Sequence, residues 1–351
     1  MKTNSFKKYL LYILLGSSTM FASSCESTDD NTEPKGAYEH GVFILNEGQF
    51  GTPTAEVSFL SPESKDLTPD LFSKVNNRPL GDAAQSLTFI GDKAYIAVNA
   101  SEKIEVVDAY SFASVGVING LKIPRYIAAL NSSKAYVTEY VGYTFSGYLG
   151  TGRVSVLDLA TNTVTKTINV GLLPEGLLIY NNKLYVANSG SNTISVINTA
   201  TDQVESTILV GEAPKHLVLD ANNKIWVLRG GYSTPGALIK IDPANNNALT
   251  TYNFPVGTSG AGQLTINGAK NTLYYSYNNK VYAMATSAST VPTTAIINRS
   301  PYGLGIDPET NLLYLGVGGY TSNGWAVRYQ TTGTPVDSFQ VRILPNGFSF
   351  R

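Results

Sequence analysis

Few side chains in this 351-residue chain are equipped for covalent or metal chemistry, and their spacing limits what they can do. There are two histidines, His40 and His216, and one cysteine, Cys25. A metal centre draws several ligands from His, Cys, Asp and Glu at characteristic spacings; none occurs, so no metal is expected. A serine nucleophile needs a positioned histidine base, and His216 stands in no such motif. Glu47, Glu139 and Glu175 have the type required for a pair of acid–base carboxylates such as cleave glycosides, but sequence does not fix their separation. The chain is therefore expected not to be an enzyme and to use no catalytic cofactor.

Side chains suited to holding a ligand are far more plentiful. Aromatic and amide residues recur on stretches rich in Gly, Ser and Thr: Asn46, Gln49, Phe50, Asn99, Tyr140, Tyr143, Phe145, Asn188, Arg229, Tyr232, Tyr277 and Tyr320. A second set precedes short apolar runs: Gln85, Arg125, Tyr126, Glu175, Lys215, His216, Gln263, Tyr302 and Asn346. Aromatic rings offer large contact area with few torsions to freeze, and Tyr adds a hydroxyl. Arg125, Lys215 and Arg229 near Glu175 are either ligand donors or mutual ion pairs. Together these groups suit a bulky small molecule with both polar and apolar parts.

The positioning elements follow from a repeat. Between residues 181 and 222 lie four runs of β-branched and aromatic residues, Leu184–Ala187, Thr193–Ile197, Val204–Val210 and His216–Leu219, separated by turn formers and expected to form one antiparallel meander. The Tyr185 position is matched by Phe43, Tyr95, Tyr136, Trp226, Tyr274 and Tyr314, at spacings of 52, 41, 49, 41, 48 and 40 residues along the chain. A β repeat of this length predicts an all-β, seven-bladed β-propeller of four-stranded antiparallel blades. These recurring aromatics are expected to pack between blades. The first blade opens on its second strand; its first strand is supplied by 344–350, which closes the ring, so a chain ending near 343 should be severely damaged. Thr52 to Pro79 is expected to carry a longer outer connection. Insertions after the second strand, at 139–152, 229–236 and 317–324, fall on one face, together with the starts of the innermost strands.

Both kinds of charge are balanced, 25 Lys and Arg against 26 Asp and Glu, which leaves no basic field for nucleic acid. The N-terminus stands apart. Lys2, Lys7 and Lys8 precede a short apolar run, and Ala22-Ser23-Ser24 leads to Cys25, which reads as a secretory signal at 1–24. Cys25 is expected to be lipidated, with 25–40 a flexible acidic tether and 41–351 the propeller. The alternative is a cysteine lying within or just beyond a cleaved peptide.

The segments Lys-Leu-Tyr-Val-Ala-Asn (183–188), Thr-Ile-Ser-Val-Ile-Asn (193–198) and Thr-x-x-Val-x-x-Thr-Ile-x-Val-Gly-x-x-Pro (201–214) closely resemble the YncE-like seven-bladed propellers. With the leader, Cys25, the acidic tract after it and the opening Gly-Val-Phe-Ile-Leu-Asn-Glu-Gly (41–48), the chain also resembles the BtuG-type lipoproteins of Bacteroidetes. That resemblance implies a lipid-anchored protein on the cell surface of the outer membrane. It would capture cobalamin or a related corrinoid and hand it to a TonB-dependent transporter. The competing class is an adhesion or interaction scaffold holding a glycan or protein on the same face.

Overall fold

Strand-forming residues occupy the chain in short runs of alternating type, and no run is long enough to bury itself. The computed structural model describes residues 35–62, 65–144, 147–231, 234–255 and 261–351, with residues 35–351 forming one compact unit. The signal, Cys25 and most of the tether lie outside the described residues. Seven antiparallel sheets form the blades of a propeller. In the fourth blade Pro174–Tyr180, Lys183–Asn188, Thr193–Asn198 and Gln203–Leu209 run from innermost to outermost. The expected grouping is thus shifted by one strand. Pro214–Leu219 pairs with Ile225–Arg229 and is the innermost strand of blade five, because the chain crosses to the next blade at Val210–Ala213 rather than turning back.

Blade six has three strands, Leu264–Ile266, Thr272–Tyr277 and Lys280–Ala285. Its fourth position is held by a bridge between Val281 and Ile297. Blade three carries an extra hairpin, Gly142–Thr144 paired with Gly147–Leu149, inside the expected insertion. In blade one the outer connection holds the short strand Leu67–Thr68 and a six-residue helix, Leu71–Asn76. The buried Glu56 carboxylate accepts from the Phe72 and Ser73 amides at 2.8 and 3.2 Å, answering two of the unpaired donors of the helix N-terminus. Six residues are too few for a helical period to show in sequence. Among the described residues no helix is long and apolar enough to cross a membrane.

Burial follows rank within a blade. Second strands such as Val42–Asn46 and Ile225–Arg229 are buried throughout, whereas the outermost strand of blade four is exposed along most of its length. A second strand has a neighbouring blade over both faces; an outermost strand has solvent at its edge. Phe43, Tyr95, Tyr136, Tyr185, Trp226, Tyr274 and Tyr314 are all buried between blades. Burying a ring of this size contributes about 1.5–3 kcal/mol, and several also satisfy their polar atoms. Trp226 Nε1 donates to Asp220 at 2.8 Å, and the Tyr136 hydroxyl donates to Asp202 at 2.7 Å.

Closure occurs where the sequence places it. Pro345–Phe350 pairs with Val42–Asn46 as the innermost strand of blade one. Gly316 permits the approach: a Cβ there would lie 1.9 Å from the Pro345 carbonyl oxygen. Arg342 of blade seven forms a two-pronged ion pair with Asp70 of blade one, a second clasp across the seam. A chain ending at Ile343 should lose cooperative unfolding, with early melting in circular dichroism and rapid proteolysis of blades one and seven; a melt like that of the full chain would show that closure does not depend on this strand.

Candidate functional site

Innermost strands start at the rim of the central channel, and antiparallel order returns each second strand to the same face. Tyr140, just beyond the second strand of blade three, donates its hydroxyl to Glu175 at the start of blade four. Asn99 Nδ2 of blade two donates to the Pro124 carbonyl of blade three at 3.3 Å. Glu47 of blade one accepts from the Tyr302 hydroxyl of blade seven. Loops and inner-strand starts thus meet around one mouth.

The centre of that mouth is a charged, largely enclosed network. Arg125 donates from Nε and Nη2 to the Glu175 carboxylate at 3.0–3.2 Å, and from Nη1 to Gln85. Gln85 in turn donates to the Tyr126 hydroxyl at 3.0 Å. The guanidinium lies 4.8 Å from the Tyr140 ring centroid and 5.9 Å from that of Tyr126, within cation–π range. The side chains of Arg125 and Glu175 are only 16% and 6% exposed. This is a buried pair, not the rim contact of small consequence that an exposed pair would be; losing one partner of such a pair costs about 3–5 kcal/mol.

Titration behaviour follows from that arrangement. Burial pushes the Glu175 carboxyl up, but Arg125, Lys215 and the Tyr140 hydrogen bond outweigh it and hold the group below the usual carboxylate range. Glu47 goes the other way: burial raises it, only partly opposed by Tyr302, Arg125 and Lys215. The Tyr126 and Tyr302 hydroxyls are raised by burial and then by Glu175 and Glu47 respectively. His216 is pulled down to about 4 by burial and by Lys215, so the imidazole is neutral near pH 7. Its ring meets Tyr126 edge-on at 6.0 Å.

The remaining residues singled out in the sequence divide by environment. Phe50 and Tyr320 are the open aromatics, 73% and 70% exposed, with Tyr320 edge-on to Tyr302 at 6.3 Å. Gln49 is exposed, and its backbone N–H donates to Thr54 Oγ1 at 2.8 Å. Gln263 Nε2 donates to the Tyr302 carbonyl at 2.6 Å, and Asn346 Nδ2 to the Ala84 carbonyl at 2.9 Å. Arg229 is buried, at long range from Gly230 O and Thr234 Oγ1, 3.5 and 3.4 Å, and burial lowers its pKa. Phe145 and Tyr232 lie outside the described residues, as does the side chain of Tyr143.

Three residues face inward instead. Asn46 Nδ2 donates to Ser58 Oγ at 3.0 Å and Asn188 Nδ2 to Ser195 Oγ at 2.9 Å, each completely buried in its own blade. Tyr277 is sandwiched between Phe254 and Tyr282, with ring centroids at 4.2 and 4.1 Å. Glu139, one of the three candidate carboxylates, is also enclosed: it accepts from Ser155 and Arg153 and from the Lys122 amide. Asn46, Glu139 and Asn188 each stand three residues past the blade aromatic and bond a third-strand serine. That recurrence in the sequence marks them as blade architecture. Glu47, adjacent to Asn46, accepts instead from the Tyr302 hydroxyl at the mouth. Among the described residues no group of three or more His, Cys, Asp or Glu is set to hold a metal ion.

The fold is a seven-bladed propeller, and its insertion face carries the candidate site. The chain belongs to the family described as a domain of unknown function, DUF5074, whose family model matches residues 40–350. Among curated proteins no sequence matches it. Solved structures share its fold. A quinonprotein alcohol dehydrogenase-like protein from Bacteroides thetaiotaomicron is 15% identical, with TM-score 0.67 over 89% of this chain and 78% of that one. A periplasmic gluconolactonase from Pseudomonas aeruginosa is 13% identical, with TM-score 0.67 over 88% and 99%. Hydrazine synthase from Kuenenia stuttgartiensis is 17% identical, with TM-score 0.58 over 74% and 87%.

These likenesses show the fold, and they overturn the expectation that the chain is not an enzyme. A gluconolactonase and hydrazine synthase share this fold, so lack of a linear catalytic motif does not exclude catalysis.

His216 gives the site a measurable pH signature. Its folded pKa lies below the unfolded value of 6.5, so its contribution to stability is complete above that value and is lost as pH falls towards 4, by roughly 3 kcal/mol at most. Urea unfolding across this range should show the decline, and His216→Gln should flatten it. An equal decline in the variant would assign the effect to other groups.

Proposed function

We propose that the protein is a surface-exposed, lipid-anchored receptor that captures cobalamin or a related corrinoid at the ring mouth and passes it to a TonB-dependent outer-membrane transporter. The observation that carries the reading is the pairing of exposed aromatics with an ordered polar floor. Phe50 and Tyr320 stand open on the loops of blades one and seven, while Arg125, Glu175, Gln85, Glu47 and Tyr302 are fixed by one another. A corrinoid presents apolar ring edges and peripheral amides, and so asks for apolar surface and hydrogen-bonding groups together. Preorganised polar groups lose little entropy on binding, which favours affinity. The resemblance of the leader and of 41–48 to the BtuG-type lipoproteins supports the same reading.

Titrating the purified protein with cyanocobalamin, by calorimetry and visible absorbance, should give saturable heat and a spectral change. Phe50→Ala and Tyr320→Ala should each weaken binding roughly tenfold, as for central aromatic anchors, without altering the melting temperature. No heat and no spectral change at micromolar protein would remove the corrinoid; binding of a glycan or protein on the same face would favour the scaffold reading instead.

Cys25, as the anchored residue, determines location. Cys25→Ser should move the protein from the outer-membrane fraction to the soluble one, and a variant still found in the membrane fraction would remove lipidation at this position.

A further inference from the structure

The flank of the ring carries a gap that the repeat does not predict. In blades three, four and five the outermost strand and the residue after it send two apolar side chains into the interface with the next blade: Ile168 and Val170, Ile208 and Val210, Tyr252 and Phe254. Blade six has no outermost strand, and Ile296 and Ile297, bridged to Val281, stand in its place. The cover over blade seven is therefore incomplete. Trp325 remains 43% exposed there, and an open notch of about 270 Å³ is lined by Trp325, Val327, Ser338 and Arg299.

Strand register gathers these groups. Trp325 and Val327 stand two residues apart on Asn323–Tyr329, and directly across from them on Pro335–Ile343 are Gln340 and Ser338. Opposed residues of an antiparallel pair share a face, with Cβ atoms about 4.5–5.5 Å apart. Val327 is buried and forms the floor, whereas Trp325, Ser338, Gln340 and Arg299 all keep exposed surface. Arg299 stands two residues past the bridge at Ile297 and makes no hydrogen bond or ion pair with the other described residues.

Each group asks for a different part of one ligand. The face of an indole is electron-rich and takes C–H groups. Ser338 and Gln340 both donate and accept hydrogen bonds. An unpaired guanidinium beside them suits a carboxylate, which it holds through two parallel bonds. An added peptide strand suits the notch less, because the sheet edge it would extend is already closed at Val281 by Ile297. Drug-sized ligands fill roughly 300–1,000 Å³, so this space takes a single ring. A pyranose carrying a carboxylate combines the C–H face, the hydroxyl rim and the one negative charge.

We propose that this notch binds a hexuronic acid residue of an acidic glycan, with the C–H face of the sugar on Trp325 and its carboxylate on Arg299. The site lies among outer strands and is independent of the corrinoid reading of the mouth. The chain supplies its own reporter: of its two tryptophans Trp226 is completely buried, so a change in the solvent exposure of indole emission reports Trp325. Methyl glucuronide, methyl glucoside and acetate are titrated separately into the purified protein at millimolar concentrations and constant ionic strength. The glucuronide is expected to shift the emission saturably and to protect it from acrylamide quenching, the glucoside to act about tenfold more weakly, and acetate to have no effect. Arg299→Gln, at an exposed position, should bring the glucuronide down to the level of the glucoside and leave the glucoside unchanged. Trp325→Leu should abolish the heat of glucuronide binding in calorimetry; should that variant not fold, the native protein and Arg299→Gln decide alone. No emission change with the glucuronide, an equal response to the glucoside, or a glucuronide response that survives Arg299→Gln overturns the site.

Discussion

Everything in this molecule depends on the pairing of Pro345–Phe350 with Val42–Asn46. A propeller blade buries its faces only against its neighbours, so an open ring would leave two blades half covered. The seam is reinforced on several levels. Arg342 pairs with Asp70, Ser349 Oγ donates to Leu87 O at 3.0 Å, and Phe348 and Phe350 pack around Tyr314. One pairing therefore joins residues some three hundred positions apart, and the entropy of closing so long a loop grows only slowly with its length.

Closure creates a second problem that the site depends on. Each innermost strand has one edge bonded to its second strand and another facing the channel, with backbone carbonyls to satisfy. Side chains from the preceding blade do this in a consistent direction. Ser349 of blade one reaches Leu87, Ser86 of blade two reaches Arg125 at 2.7 Å, Thr138 of blade three reaches Glu175 at 2.9 Å, and Gln263 of blade six reaches Tyr302 at 2.6 Å. The polar character of the channel is thus first a requirement of the fold. Arg125, Glu175 and Tyr302 sit on the very segments that these bonds hold, so the mouth inherits its rigidity from them.

The ring was legible in the sequence because its signal repeats. Seven aromatics at one register average out local ambiguity, and the first strand missing before Val42 is found again at 345–350. A single strand boundary lacks that advantage. His216–Leu219 followed blade four in the chain at ordinary turn spacing, and nothing local distinguishes a crossing to the next blade from a turn back. The candidate site was legible where residues precede inner strands, as with Gln85, Arg125, Glu175 and His216. It was not legible at Asn46, Asn188 and Tyr277. A residue closing a second strand points either into the loop or back into its blade; for Asn46 and Asn188 the third-strand serines Ser58 and Ser195 decide it, and for Tyr277 the flanking rings of Phe254 and Tyr282.

That choice also explains why the mouth offers fewer free groups than its composition suggests. Asn46, Glu139 and Asn188 spend their hydrogen bonds inside blades, and Tyr277 its ring inside the Phe254–Tyr282 stack. Arg125 and Glu175 neutralise one another. What stays exposed from this rich set is narrower: the rings of Phe50 and Tyr320, with Gln49 beside Phe50. With Arg125 held by Glu175, Glu47 by Tyr302 and the amides of Asn46 and Asn188 spent inside their blades, most of the polar inventory of this face is committed to the fold itself, and the exposed rings of Phe50 and Tyr320 stand out against it.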